Sequence, residues 1–137
     1  MKKYSFEDLK KLIILCNEEK IKTNLLVNRS IMFFEDVDKL EKSINLLQEY
    51  GKIDYITISD PFIVHYFKKK FPNIKLQSSI YMGIDNIHKA REAIKMGITA
   101  LTLDPSVNRS KSKLKEIMRL KLDYPAISIK LIGILTC

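Results

Sequence analysis

Ile53-Asp54-Tyr55-Ile56-Thr57-Ile58-Ser59-Asp60-Pro61 contains a whole strand-to-helix switch. From Ile53 to Ile58 the residues alternate with the period of a short strand. The strand ends at Ser59. Asp60 can then accept a hydrogen bond from the first free N–H groups of a helix. Pro61 takes the first helical position, where its missing N–H costs nothing. The helix so started runs to about Phe71 and stops at Pro72. A strand, a tight loop and a helix in this order form one βα unit.

The same unit repeats on both sides. Upstream, Ser5 with Asp8 three positions later predicts a capped helix from Phe6 to about Lys20. A strand over Ile21 to Val27 follows, then a loop at Asn28-Arg29-Ser30. The helix from about Glu35 to Tyr50 places Val37, Leu40, Ile44 and Leu47 on one face and stops at Gly51. Downstream, Ile74 to Ser78 is a third strand, and Asp85 is expected to cap a helix closed by Gly97. Ile98 to Leu103 is a fourth strand. Ser110 or Ser112 opens a last helix with Leu114, Ile117 and Met118 inward, and Ala126 to Ile132 is a fifth strand. Strict alternation with short connections implies parallel strands and right-handed crossovers. The expected fold is α/β: five parallel βα units in one domain over residues 1–137, in the manner of an incomplete TIM barrel. The alternative is a flat, flavodoxin-like doubly wound sheet with its first strand central.

Length and composition limit the alternatives. At 137 residues the chain is too short for a complete eight-fold barrel, which takes about 250. Apolar residues at 46% and charged residues at 29% describe a globular chain. The net charge of +8 allows an anionic partner such as RNA, but excess lysine alone is weak evidence for one, and surface lysines are the plainer reading. Cys16 and Cys137 lie far apart with no CxxC, so a disulfide framework is not expected and a reducing cytoplasm is the default. Cys16, after Leu12 to Leu15, reads as a small core residue. Met1-Lys2-Lys3 precedes too short an apolar run for a signal, and no segment is long enough to cross a membrane.

In parallel α/β folds ligands gather at the carboxyl ends of strands. That rule selects Asn28, Arg29, Ser59, Asp60, Ser79, Tyr81, Asp104, Asn108 and Arg109 as candidate substrate-binding residues. Asp60 and Asp104 each precede proline, in Thr57-Ile58-Ser59-Asp60-Pro61 and Thr102-Leu103-Asp104-Pro105, so helix capping competes with a direct ligand role. Val-Asn-Arg-Ser occurs at Val27 to Ser30 and again at Val107 to Ser110, and each arginine suits a carboxylate or phosphate. His65 and His88 each stand alone in a helix without metal-ligand spacing. There is no Gly-rich phosphate loop. Lys68-Lys69-Lys70 suits a helix carboxyl end, and Lys111, Lys115 and Arg119 form a basic stripe that reads as a solvated face or an RNA contact.

At these residues the sequence resembles the collagenase-like peptidase family (unassigned-type peptidase family thirty-two). The likeness lies in Ile56 to Pro61, Phe71-Pro72, Ser79 to Asn86, and Gly97 to Asp104 with Asn108-Arg109. The resemblance implies a TIM-like catalytic domain, with peptidase activity or hydroxylation of RNA or quinone precursors, and in many members a cysteine-held iron–sulfur centre. Cys137 falls at the place of the family's first cluster cysteine. The later cysteines and the first βα unit have no counterpart, so the chain resembles a truncated copy. It is expected to hold no cluster itself, to be catalytically silent alone, and to associate with itself or a partner through its open strand edges. The expected substrate is a peptide or RNA. The other readings are a non-catalytic basic RNA- or protein-binding module, and an unrelated barrel enzyme that binds phosphate or carboxylate.

Overall fold

The computed structural model describes residues 5–28 and 33–133. Five parallel strands form one sheet: β1 (Asn24–Val27), β2 (Tyr55–Ile58), β3 (Lys75–Ser78), β4 (Ala100–Thr102) and β5 (Ser128–Lys130). Their order is β1-β2-β3-β4-β5, each strand beside its sequence neighbours. Because β1 lies at an edge, the flavodoxin-like alternative does not apply. The order is that of a barrel arc, and the sheet is open. Right-handed crossovers that always step in the same direction bring the connecting helices to one face.

Those helices are α2 (Phe34–Gln48), α3 (Pro61–Lys70), α4 (Ile87–Met96), α5 (Lys111–Met118) and the short α6 (Leu120–Asp123); to keep chain order, α1 denotes Phe6–Glu18, which precedes β1. The core lies between sheet and helices. Ile56, Ile58, Leu76, Leu101 and Leu103 meet Ile44, Leu47, Ile63, Phe67, Ala90, Ile117 and Leu120, all essentially inaccessible to water. Each buried large aliphatic side chain contributes about 1.5–3 kcal/mol to the fold.

Local chemistry sets the element ends. Ser5 and Asp8 form the expected reciprocal cap, the Ser5 N–H donating to Asp8 at 2.9 Å. Asp60 accepts from the Phe62 N–H at 2.9 Å with Pro61 beside it. Ser110, not Ser112, caps α5. The α4 cap is Asn86 instead of Asp85: Asn86 accepts from the Lys89 N–H at 3.0 Å, while Asp85 pairs with the Lys89 ammonium at 2.9 Å. Gly97 closes α4 at φ 119°, as a left-handed cap requires. The expected strands are longer than those observed, because their first residues, and in β4 and β5 their last ones too, lie outside the ladder. Pro105–Arg109, expected as loop, forms a 3₁₀ turn. Met118 is exposed, since the chain bends between α5 and α6, and Cys16 is only half-buried.

Gly51 has a different role from the expected helix stop. α2 ends at Gln48, and Gly51 has no positive φ. It lies beneath Asn17, whose amide donates to the Ile13 carbonyl at 2.9 Å and the Lys52 carbonyl at 3.1 Å, and accepts from the Lys52 N–H at 2.8 Å. A Cβ at position 51 would come within 2.8 Å of both Asn17 Nδ2 and Ile13 Cγ2. Gly51→Ala is therefore expected to displace this clamp and destabilise the fold by about 1–3 kcal/mol, read as a lowered thermal midpoint.

At the amino end of the sheet Asp54 accepts from the Thr23 N–H at 3.0 Å and pairs with Lys52 at 3.0 Å. Partial burial pushes its carboxyl pKa up. The Thr23 N–H, Lys52 and the Lys22 charge more than offset this and hold it below the ordinary value. A carboxyl with a depressed folded pKa stabilises above its unfolded pKa, about 3.9, and that stability is lost as pH falls through the folded value. Denaturation followed between pH 5 and pH 2 should show a steeper loss in the parent than in Asp54→Asn.

Candidate functional site

The face of the sheet opposite the helices decides where chemistry can sit. Alternation places Asn24, Leu26, Tyr55, Thr57, Lys75, Gln77, Ala100, Thr102, Ser128 and Lys130 on it. Barrel interiors are usually filled with bulky branched apolar residues. This open face is instead mainly polar and hydrogen-bonded, with Leu26 and Ala100 as its apolar members. Asn24 donates to the Gln77 amide oxygen at 3.3 Å, and Thr57 donates to the Asn24 amide oxygen at 3.0 Å. Gln77 donates in turn to the Thr102 hydroxyl at 3.2 Å. The Lys130 ammonium donates to the same Gln77 oxygen and lies 5.0 Å from the centre of the Tyr55 ring. Lys75 approaches that ring from its own strand, at 5.9 Å. Neither lysine has a carboxylate within salt-bridge distance among the described residues.

At the carboxyl end of this face, register carried one step past the ladder aligns Ser59, Ser79, Thr102 and Lys130 across the sheet. Ser59 is only 8% exposed. Its hydroxyl has no hydrogen-bond partner, an uncommon state for a buried polar group.

The other sequence-selected residues divide by role. Asp60 caps α3, and Asp104 caps the 3₁₀ turn by accepting from the Ser106 N–H at 2.9 Å. The Ser106 side chain, followed by its N–H, holds the Asp104 carboxyl below its usual range. The Ser79 hydroxyl accepts from the Tyr81 N–H at 3.3 Å, leaving the Tyr81 ring exposed. Asn108 donates to the Ile132 carbonyl at 2.5 Å, tying the turn after β4 to the chain after β5. Arg109 is exposed, and Asn28 is half-buried at the end of β1. Arg29 and Cys137 lie outside the described residues. The rim thus consists largely of helix caps and loop ties, and the inner-face residues Asn24, Thr57, Gln77, Thr102 and Lys130 are the ones sequence reasoning missed. A signal existed: each strand carries a polar residue at an inner-face position.

Three rim aromatics were also missed. Phe33, Phe34 and Phe62 are exposed around Asp60 and line a cleft of about 310 Å³, with Phe34 and Phe62 edge-to-face at 6.0 Å. His65 lies in a separate cleft of about 410 Å³ between α3 and α4 with Lys68, Lys69, Lys95 and Met96.

The family model for peptidase family U32 matches residues 1–126. The chain belongs to peptidase family U32. Among solved structures the U32 peptidase Mk0906 shares the fold, with a TM-score of 0.72 at 14% identity over 93% of this chain and 51% of that one. The U32 chain described here thus spans about half the length of that structure. No curated protein matches. The described residues of this U32 domain do not fit a thiolate-held iron–sulfur cluster. Cys16, the one cysteine among them, sits in α1, and no three His, Cys, Asp or Glu side chains converge. No described helix is long and apolar enough to cross a membrane.

Gln77 should be the most sensitive inner-face position. Gln77→Leu leaves the Asn24 and Lys130 donors and the Thr102 hydroxyl without their partner and is expected to cost about 1–3 kcal/mol. Ser59→Ala removes an unsatisfied buried hydroxyl and should be neutral or stabilising. Paired urea titrations measure both.

Proposed function

We propose that this chain is the substrate-binding part of a U32 domain, catalytically silent alone, with a peptide as its substrate. The polar inner face carries this reading. Peptide backbone offers alternating amide donors and acceptors, and the Asn24 and Gln77 amides keep an unused N–H each after their mutual bonds. Lys75 and Lys130 supply uncompensated positive charge for a peptide carboxylate. Both histidines are exposed on the outer helices α3 and α4. No serine on the rim is paired with a base by the described hydrogen bonds.

RNA is a second reading, favoured by the +8 charge and the lysine-lined cleft between α3 and α4. Binding of labelled gelatin peptides and labelled single-stranded RNA, each titrated with salt, separates the two. Peptide binding weakened at least about tenfold by Lys130→Met, equivalent to ~1.4 kcal/mol, supports the first. RNA binding with log K falling by ~0.7 per phosphate contact per decade of salt, indifferent to Lys130→Met and lost in Lys68→Glu/Lys69→Glu, selects the second. Binding of neither removes both. Release of peptide fragments by the isolated chain would show that it is not silent.

We further propose that the chain binds no iron–sulfur cluster by itself. Anaerobic reconstitution with iron and sulfide should leave no stable absorption near ~400 nm. A band abolished by Cys137→Ser would refute this.

A further inference from the structure

We infer that Phe33, Phe34, Phe62 and Asp60 form a pocket for a guanidinium group, the head of an arginine side chain on the bound peptide. The proposal rests on the peptide reading for the source of that arginine, but not for the pocket itself.

The cluster is an exception to the way this chain places its phenylalanines. Of the six, Phe67 and Phe71 are buried and Phe6 packs against the core. The other three meet in one cleft, with Phe33 67%, Phe34 81% and Phe62 60% exposed. Helix formation does not account for them. Phe33 occupies the N-cap of α2 and makes no side-chain cap bond, at a position where Ser, Thr, Asp or Asn would satisfy a free N–H. Phe34 and Phe62 stand edge-to-face, their planes at 90° and their centres 6.0 Å apart. Rings at right angles cannot cover each other's faces, so an aromatic face stays open to a third group, and such a face attracts a cation.

Asp60 selects the occupant. Its Oδ1 accepts from the Phe62 N–H at 2.9 Å, and its other oxygen has no partner among the described residues. No basic side chain is among the described residues lining the cleft. A neutral side chain seated here would strip water from that oxygen and leave it unpaired. A guanidinium meets both demands, because it is planar and weakly hydrated, stacks on aromatic rings and donates to carboxylates. The amino ends of α2 and α3 meet at the cleft and by themselves favour an anion. Each carries its own carboxylate: exposed Glu35 in the first turn of α2, and Asp60 at the cap of α3. The volume of about 310 Å³ suits one side chain, since pockets for whole small molecules run from about 300 to 1,000 Å³.

NMR of the phenylalanine rings in the whole chain tests the proposal, with Nα-acetyl-arginine amide and its neutral citrulline analogue as probes. The parent is compared with Phe34→Leu, which keeps apolar bulk without a π face, and with Asp60→Asn, which keeps a capping side chain. Circular dichroism confirms folding; Phe62→Leu and Asp60→Ser serve if either variant misfolds. The arginine probe should shift the ring signals of all three phenylalanines, and the citrulline probe should not. Each substitution should weaken arginine binding about two- to fivefold, the effect of one exposed cation–π or ion-pair contact. Citrulline binding as tight as arginine binding overturns the proposal. So does unchanged affinity in either variant, or a parent whose ring signals stay in place. A labelled peptide that needs Lys130 but binds equally with citrulline in place of its arginine overturns this proposal alone. Ring shifts with the arginine probe and no peptide binding support the pocket and confine the failure to the peptide reading.

Discussion

The Gln77 side chain holds the inner face together. From the central strand its oxygen accepts from Asn24 on β1 and Lys130 on β5, and its nitrogen donates to Thr102 on β4. Thr57 on β2 joins through Asn24. One amide thus connects all five strands, and it can do so only while the register holds. A one-residue slip of any strand would turn its polar member to the apolar face and an aliphatic residue to the open one. Apolar packing against the helices supplies most of the stability, while the amide network specifies which residues face which way.

This arrangement also suits an open sheet. An open sheet with a bulky apolar face would expose that face to water. Here the open face is polar, and Thr57, Gln77 and Thr102 are buried with hydrogen-bond partners in place. Much of what remains uncovered lies at the edges and in the aromatic cluster beside Asp60, with Tyr81 after β3 and Leu46 on α2 also exposed.

Local sequence foretold local bonds. Ser5 and Asp8, Asp60 and Pro61, and Gly97 behave as their spacing predicts, because each involves groups within a few residues. Neighbouring Asp85 and Asn86 were harder to separate, since either can cap; the Lys89 ammonium holds the first and leaves the second to the helix. The strand alternation settled the fold class but not the strand order, which depends on the direction of each crossover. The inner-face network was not read because Asn24 and Gln77 stand 53 positions apart, as do Gln77 and Lys130. Only register brings them together. The rim aspartates drew attention for the opposite reason: their Asp-Pro context is conspicuous locally, and its meaning is largely local too.

The sequential strand order has a kinetic consequence. Every ladder in this sheet joins strands that are consecutive in the chain, so no strand must wait for a distant one before it can pair. Contacts of short sequence separation close with little loss of chain entropy, and such topologies fold quickly from whichever adjacent pair forms first. A ribosome-bound chain can settle its first three strands before the last is synthesised. The amide relay, which needs Asn24 and Lys130 at once, then closes last and acts as a latch on a sheet already assembled.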